Sequence, residues 1–261
     1  MKKNSIIAVI AVVVLGGLAA YFLYKPAPPA PVLVQAPPPP VPVIRQIIET
    51  PPASTPLPAL NESDSFMLDA LSGLINDPSL VKMFIAKQII RNVVATIDNL
   101  PRKQAPMEVM PVQPAPEKFI TAGSENNLTI SPKNAERYTL YIKIADSLDT
   151  KNLVNLYVNL YPLFQEAYED LGYPKRYFND RLLVAIDNLL ATPDIAEPVK
   201  LIQPNVYYLY ADSTLEERSI GQRILMRIGK QNRTVIMNKL AEIRQELKLH
   251  MREIEVKSTS E

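Results

Sequence analysis

Hydrophobic and polar positions divide the chain into three regimes. Ile6 to Tyr24 is a run of 19 residues without a formal charge. As a helix at about 1.5 Å per residue it reaches roughly 28 Å, the thickness of a bilayer's hydrocarbon core. Tyr21, Phe22 and Tyr24 gather at its end, where an aromatic belt sits. Lys2, Lys3 and the amino terminus precede it, which favours an N-terminus inside and a C-terminal domain outside. A cleaved signal peptide is the competing reading, with Gly17 and Ala19 as the small residues before Ala20. The apolar run continues to Tyr24, longer than a secretory core requires, and so favours a retained anchor.

From Lys25 to Pro58 the pattern is lost, and 13 of 34 residues are proline. Proline fixes φ and lacks the N–H, so polyproline II is the expected form and a semi-rigid stalk the expected role. A ligand for a proline-recognising groove is the alternative role. Ile44 to Glu49 is a candidate for a short local element inside it.

Beyond Pro58 a helical period takes over. Asn61 and Asp64 mark a first start, with a stripe of Met67, Leu71, Leu74 and Ile75. Asp77-Pro78 starts a second helix, whose Val81, Ile85, Ile89, Val93 and Ile97 recur every four residues up to Pro101. Residues 118–121 and 128–130 flank a turn and predict a hairpin. Ser131-Pro132 opens a third helix and Asp149 caps a fourth, which Pro162 should kink or divide before Gly172 closes it. Phe178, Leu182, Ile186 and Leu189 define a fifth. Residues 199–202 and 206–210 read as short strands. Ser213 and Glu216 form a capping box for a sixth helix ending at Gly229, and a seventh covers 232–250. The fold class is mainly α: six or seven helices with one or two short β-hairpins. The expected organisation is a cytoplasmic N-terminus (1–5), a transmembrane helix (6–24), a proline-rich disordered stalk (25–58), a helical domain (59–250) and a polar, frayed tail (251–261).

Several segments together resemble an uncharacterised bacterial membrane-anchored family, the domain of unknown function 3014. They are Leu57-Pro58-Ala59-Leu60 with Ser63-Asp64, and Val94-Ala95-Thr96-Ile97-Asp98-Asn99-Leu100-Pro101-Arg102. Leu171-Gly172-Tyr173-Pro174 and Tyr177-Phe178-Asn179-Asp180-Arg181-Leu182 are the most specific; Leu189-Leu190-Ala191-Thr192-Pro193 and Tyr210-Ala211-Asp212 extend the likeness. The resemblance implies an N-terminal membrane segment and a proline-rich linker, but no activity.

Composition narrows the chemistry. There is no cysteine and one histidine, His250, which removes thiolate nucleophiles, cysteine metal sites and histidine pairs. No metal or cofactor is expected. The net charge of +1 and the absence of a basic–aromatic motif argue against nucleic acid as a partner. Arg218 to Lys248 carries +6 and Asn61 to Glu217 carries −7, so the regions either neutralise one another or leave a basic face for an anionic partner. Tyr157, Tyr161 and Tyr168 follow helical spacing and read as core.

The binding-site candidates are Tyr173, Tyr177, Asp180 and Arg181, which crowd one loop–helix junction, together with Arg223 and Arg227 on the basic segment. Helix docking, with Asp180 bonding free backbone N–H groups and pairing with an arginine, is the favoured reading of the first group. Glu166, Glu169 and Asp170 on one helix, and Asp180 and Asp187 on the next, supply carboxylate pairs of the type a glycoside hydrolase uses, although helical surfaces supply such pairs by chance. The leading expectation is a noncatalytic envelope protein of the bacterial inner (cytoplasmic) membrane. It would be held in the lipid bilayer by residues 6–24, with its domain in the periplasm and an envelope protein or cell-wall component as partner. The alternative is a carboxylate-dependent hydrolase acting on envelope polysaccharide.

Overall fold

A computed structural model describes residues 43–48, 56–75, 77–124 and 127–256. The predicted span 6–24 lies outside the described residues, as does the stalk before Val43. Among the described residues no helix is long and apolar enough to cross a membrane.

The domain is mainly helical, as its periodicity predicts. Its α-helices are α1 (Ser63–Leu74), α2 (Pro78–Val81), α3 (Ile89–Asn99), α4 (Thr139–Ser147), α5 (Thr150–Asp170), α6 (Phe178–Leu190), α7 (Ser213–Glu216), α8 (Ile220–Arg227) and α9 (Lys230–His250). Helix α5 is the axis: Val154, Val158, Leu160, Tyr161, Leu163, Phe164, Ala167 and Tyr168 are all buried. Helices α3 and α9 pack on it, and α6 packs on the same two. Pro162 does not divide α5, which runs on past it to Asp170. The lost backbone bond is outweighed by apolar contacts on both sides of the proline, where Leu160, Tyr161, Leu163 and Phe164 all enter the main core.

Two predicted helices are broken. The second stops at Val81 and resumes at Ile89, although the apolar stripe runs through the gap. Ile85 N–H donates to Pro111 O (2.9 Å) and Gln113 N–H to Met83 O (2.7 Å), so the gap pairs with the proline-containing loop. Gln88 takes a left-handed φ of 53°. The Asp64 carboxylate then accepts from Gln88 N–H (2.7 Å) and Ile89 N–H (2.8 Å), capping α3 from a distant helix. The sixth predicted helix is likewise split into α7 and α8. Its capping box does not form: Asp212 caps α7, Ser219 caps α8, and Glu216 accepts from Tyr210 N–H (2.9 Å). These two breaks are why the described residues hold nine α-helices where the pattern predicts six or seven.

The β content is small. β2 (Thr121–Ala122) pairs antiparallel with β3 (Thr129–Ile130), and β4 (Leu201–Ile202) with β5 (Leu209–Tyr210). Ile130 N–H donates to Val199 O (3.0 Å) and Leu201 N–H to Leu128 O (2.8 Å), so the two hairpins join edge to edge. Val199, Leu201, Tyr210 and Met226 form the core beneath them. In the remaining pair, β1 (Val43–Ile48) overlaps the short element expected at Ile44 to Glu49 inside the stalk, and it runs antiparallel to β6 (Met251–Val256), a strand not expected in the tail. Ile48 enters the main core, which supplies the burial that holds β1 in place.

Candidate functional site

The candidate residues divide by neighbourhood. Helix α5 ends at Asp170, and Gly172 follows with a φ of 109°, a left-handed conformation that suits glycine. The turn is fastened by Gln165. Its Oε1 accepts from Phe178 N–H (2.9 Å) and Tyr161 O–H (3.0 Å), while its amide donates to Arg176 O (2.9 Å). Phe178 is wholly buried and stacks on Phe164 at 5.9 Å between centroids. Asn179, also fully buried, accepts from Tyr157 O–H at 2.5 Å. The aromatic residues of the junction therefore seat the start of α6.

Arg181 and Tyr173 converge on Asp98, which the sequence did not single out as a site. Arg181 Nε lies 2.9 Å from Asp98 Oδ1, and Arg102 donates to Asp98 Oδ2 at 2.6 Å and to the Tyr173 hydroxyl at 2.7 Å. Arg181 also donates to the Asp98 carbonyl oxygen. Asp98 is 4% exposed and is the one buried carboxylate among the described residues. Both its oxygens are taken up by guanidinium groups, as a buried carboxylate requires. Tyr173 stacks on buried Tyr168 at 4.7 Å. Burial chiefly, and then the Asp98 carboxylate, push the Tyr168 phenol up. Three segments that carry the family resemblance, ending in Arg102, containing Tyr173 and containing Arg181, thus meet at one buried carboxylate.

Tyr177 and Asp180 lie near Tyr161 instead. The Tyr161 phenol is pushed up by burial first, then by Tyr177, Asp180 and Glu169. Tyr177 is the N-cap residue of α6 and Asp180 lies in its first turn. Both are half-buried.

Arg223 and Arg227 form a separate group on α8. Arg223 pairs with Glu216 and donates to the Lys103 carbonyl oxygen. Arg227 donates to Tyr208 O at 2.9 Å, and its guanidinium lies 5.6 Å from the Phe119 ring and 5.1 Å from the Tyr210 ring. Tyr210 is buried and donates to Arg223 O at 2.8 Å; burial pushes its phenol up to about 12, against the opposing pull of Arg227. The two arginines are thus committed to internal partners. Arg233 pairs with Asp194 (2.5 Å), Lys239 with Glu242 (3.2 Å) and Arg244 with Asp187 (2.5 Å). Much of the basic segment is neutralised within the chain, the first of the two readings of its charge.

The two groups share a connector. Ile220 N–H donates to Arg102 O (2.6 Å) and Gly221 N–H to Leu100 O (3.0 Å), so the residues after α3 hold the start of α8 and also supply Arg102 to Asp98. What the junction leaves at the surface is a cationic ledge. Arg102, Lys175 and Arg176 are exposed, and the Arg176 guanidinium lies 5.7 Å from the Tyr173 ring. A guanidinium beside an aromatic face suits an anionic group that brings apolar surface with it.

The carboxylate pairs are differently placed. Asp170 pairs with Arg91 at 2.7 Å, Asp187 with Arg244, and Glu169 accepts from Gln165 at 2.8 Å. Among the described residues no group of three or more His, Asp or Glu side chains is arranged to hold a metal ion.

A family model described as "Protein of unknown function (DUF3014)" matches residues 89–244. No curated protein and no solved structure matches the chain.

Proposed function

The chain belongs to the family of proteins of unknown function DUF3014, and from that premise we propose that it is a membrane-anchored envelope protein whose helical domain is a noncatalytic binding or scaffolding module. Residues 6–24 anchor it in the bacterial inner membrane, the proline-rich stalk spaces it, and the domain stands in the periplasm. The anchor's support is its charge-free length and the lysines before it. The partner is an envelope protein or cell-wall component that presents anionic groups.

One observation carries the binding reading: the ledge of Arg102, Tyr173 and Arg176 beside a buried carboxylate that is already neutralised. The same observation ranks binding above carboxylate-dependent hydrolysis. A general acid must hold a transferable proton in a cleft, whereas Asp98 faces two guanidinium groups and Asp170 and Asp187 sit in exposed ion pairs.

The test is sedimentation of the purified domain, residues 42–261, with isolated cell-wall sacculi. Arg176→Glu should lower the bound fraction at least about tenfold, the scale of one desolvated charge contact. Equal sedimentation of the variant and the unaltered domain removes the ledge from the reading. Resistance to alkaline carbonate extraction tests the anchor separately; a mature N-terminus beginning near Ala20 contradicts it.

A further inference from the structure

The break between α2 and α3 leaves a cavity of about 320 Å³, open to the surface on one side. Leu68 of α1 and Ile75 after it, Pro78 and Val81 of α2, and Phe84 and Ala86 of the gap form its walls. Those walls are fixed in place. Ile85 N–H donates to Pro111 O and Gln113 N–H to Met83 O, while Asp64 caps the Gln88 and Ile89 amides where the gap ends. An interrupted helix thus builds a preformed apolar hollow where close packing is the rule.

We propose that this cavity is a binding site for a free fatty acid: one aliphatic chain ending in a carboxylate, with Lys82 at the mouth to receive the charge. The site is separate from the Arg102–Tyr173–Arg176 ledge and does not depend on it. The volume gives room for about ten chain carbons at ~30 Å³ each, the share of one liquid water. Ser72 and Lys82 are the polar residues of the lining. Ser72 O–H donates to Leu68 O at 2.8 Å, which leaves Lys82 as the group free to meet a ligand. Lys82 is exposed, and among the described residues no carboxylate pairs with it. Asp77, close by in sequence, is occupied by Ser79, accepting from its N–H (2.9 Å) and O–H (2.7 Å).

Other ligand classes fit this lining less well. A sugar or nucleotide needs several fixed hydrogen-bonding groups, which one lysine cannot supply. A peptide added as a strand needs free backbone. Here Phe84 and Ile85 N–H are spent on Val81 O and Pro111 O, and Ile85 O accepts from Lys87 N–H at 2.8 Å. Phe84 is the one aromatic residue of the walls, so no pair of rings grips a planar ligand. Aliphatic walls and a single unpaired cation match an alkyl chain with one anionic end.

The test is photolabelling of the full chain in phosphatidylcholine vesicles with a diazirine-bearing dodecanoic acid, and with the matching uncharged alcohol. Trypsin releases the cavity walls as residues 46–82 and 83–87, apart from the apolar N-terminal run within residues 4–45. Saturable label in the wall peptides is expected, displaced by excess unlabelled dodecanoic acid. Label confined to residues 4–45, or wall label that the excess does not displace, overturns the site. Lys82→Glu should raise the half-saturating concentration of the acid at least about tenfold, with a smaller effect on the alcohol. Equal response of the two probes overturns the anionic class. Ala86→Trp, a substitution at an exposed wall position, should block both probes, and unchanged labelling in it overturns the cavity. Helical circular dichroism should be unchanged in both variants; the labelling pattern of the unaltered chain decides the matter whatever their fold. Sacculus sedimentation reads the ledge alone, so failure there and failure here are distinguishable.

Discussion

Arg181 Nε stands 2.9 Å from Asp98 Oδ1, which pins helix α6 to the end of helix α3. The contact is shielded, with side-chain exposures of 21% and 6%. It ties two helices that both pack against α5 and α9. Removing one partner leaves a buried charge without its counter-ion. Asp98→Ala should therefore cost about 3–5 kcal/mol in urea unfolding. Arg102→Ala, at the exposed side of the same carboxylate, should cost no more than about 1 kcal/mol.

Asp64 caps a helix that begins 25 residues later. Asp64→Ala should cost about 1–2 kcal/mol, in the range of a lost N-cap. Hydrogen exchange at the Gln88 and Ile89 amides should speed up with it. Asn61, which the pattern marks as a cap, instead accepts from Arg91 at 3.1 Å on the surface. Asn61→Ala should stay below about 0.5 kcal/mol.

Two glycines should respond in opposite directions. A Cβ at Gly221 would stand 2.6 Å from Leu189 Cδ2 and 3.1 Å from Leu100 O, where α8 meets α6 and the end of α3. Gly221→Ala should cost about 1–3 kcal/mol through overpacking. A Cβ at Gly73 meets nothing within 4 Å, and that residue lies in α1. Gly73→Ala should stabilise by about 0.5–1 kcal/mol through helix propensity. Thermal unfolding of the two variants separates the cases.

How much of this was legible follows from where the deciding contacts lie. Helices α5, α6 and α9 announce themselves by period, and the Asp149 cap is local: it accepts from Asn152 N–H at 2.8 Å. The gap between α2 and α3 was hidden because Ile85 and Ile89 keep the apolar stripe in phase across it. Bonds from Pro111 and Asp64, distant in sequence, override the local preference. The site behaves in the same way. Tyr173 and Arg181 could be picked out as an unusual cluster, but Asp98, 75 residues before Tyr173, reads as an ordinary helix-surface carboxylate until the fold buries it. Arg223 and Arg227 read as a basic face because Glu216, the Tyr208 carbonyl and the rings of Phe119 and Tyr210 come from other elements.

Alkaline pH should unfold the domain through its buried phenols. Burial raises the folded-state values of Tyr157, Tyr161 and Tyr210, the last to about 12. The unfolded value is about 10, so the unfolded chain loses its phenolic protons first. Their contribution is complete below pH 10 and declines as pH rises from 10 through 12. The thermal midpoint should fall across that window, and more gently in a Tyr157→Phe, Tyr161→Phe, Tyr210→Phe variant. An equal fall in both chains would assign the loss to other groups.

The polar cluster at Asp98 is a structural junction, and ligand recognition falls to its outer rim of Arg102, Tyr173 and Arg176. A double-mutant cycle with Asp98→Asn and Arg181→Met, followed by urea unfolding, measures this directly. A coupling of about 2–3 kcal/mol is expected, with the double variant less destabilised than the two single costs added together. Additivity within about 0.5 kcal/mol would contradict it.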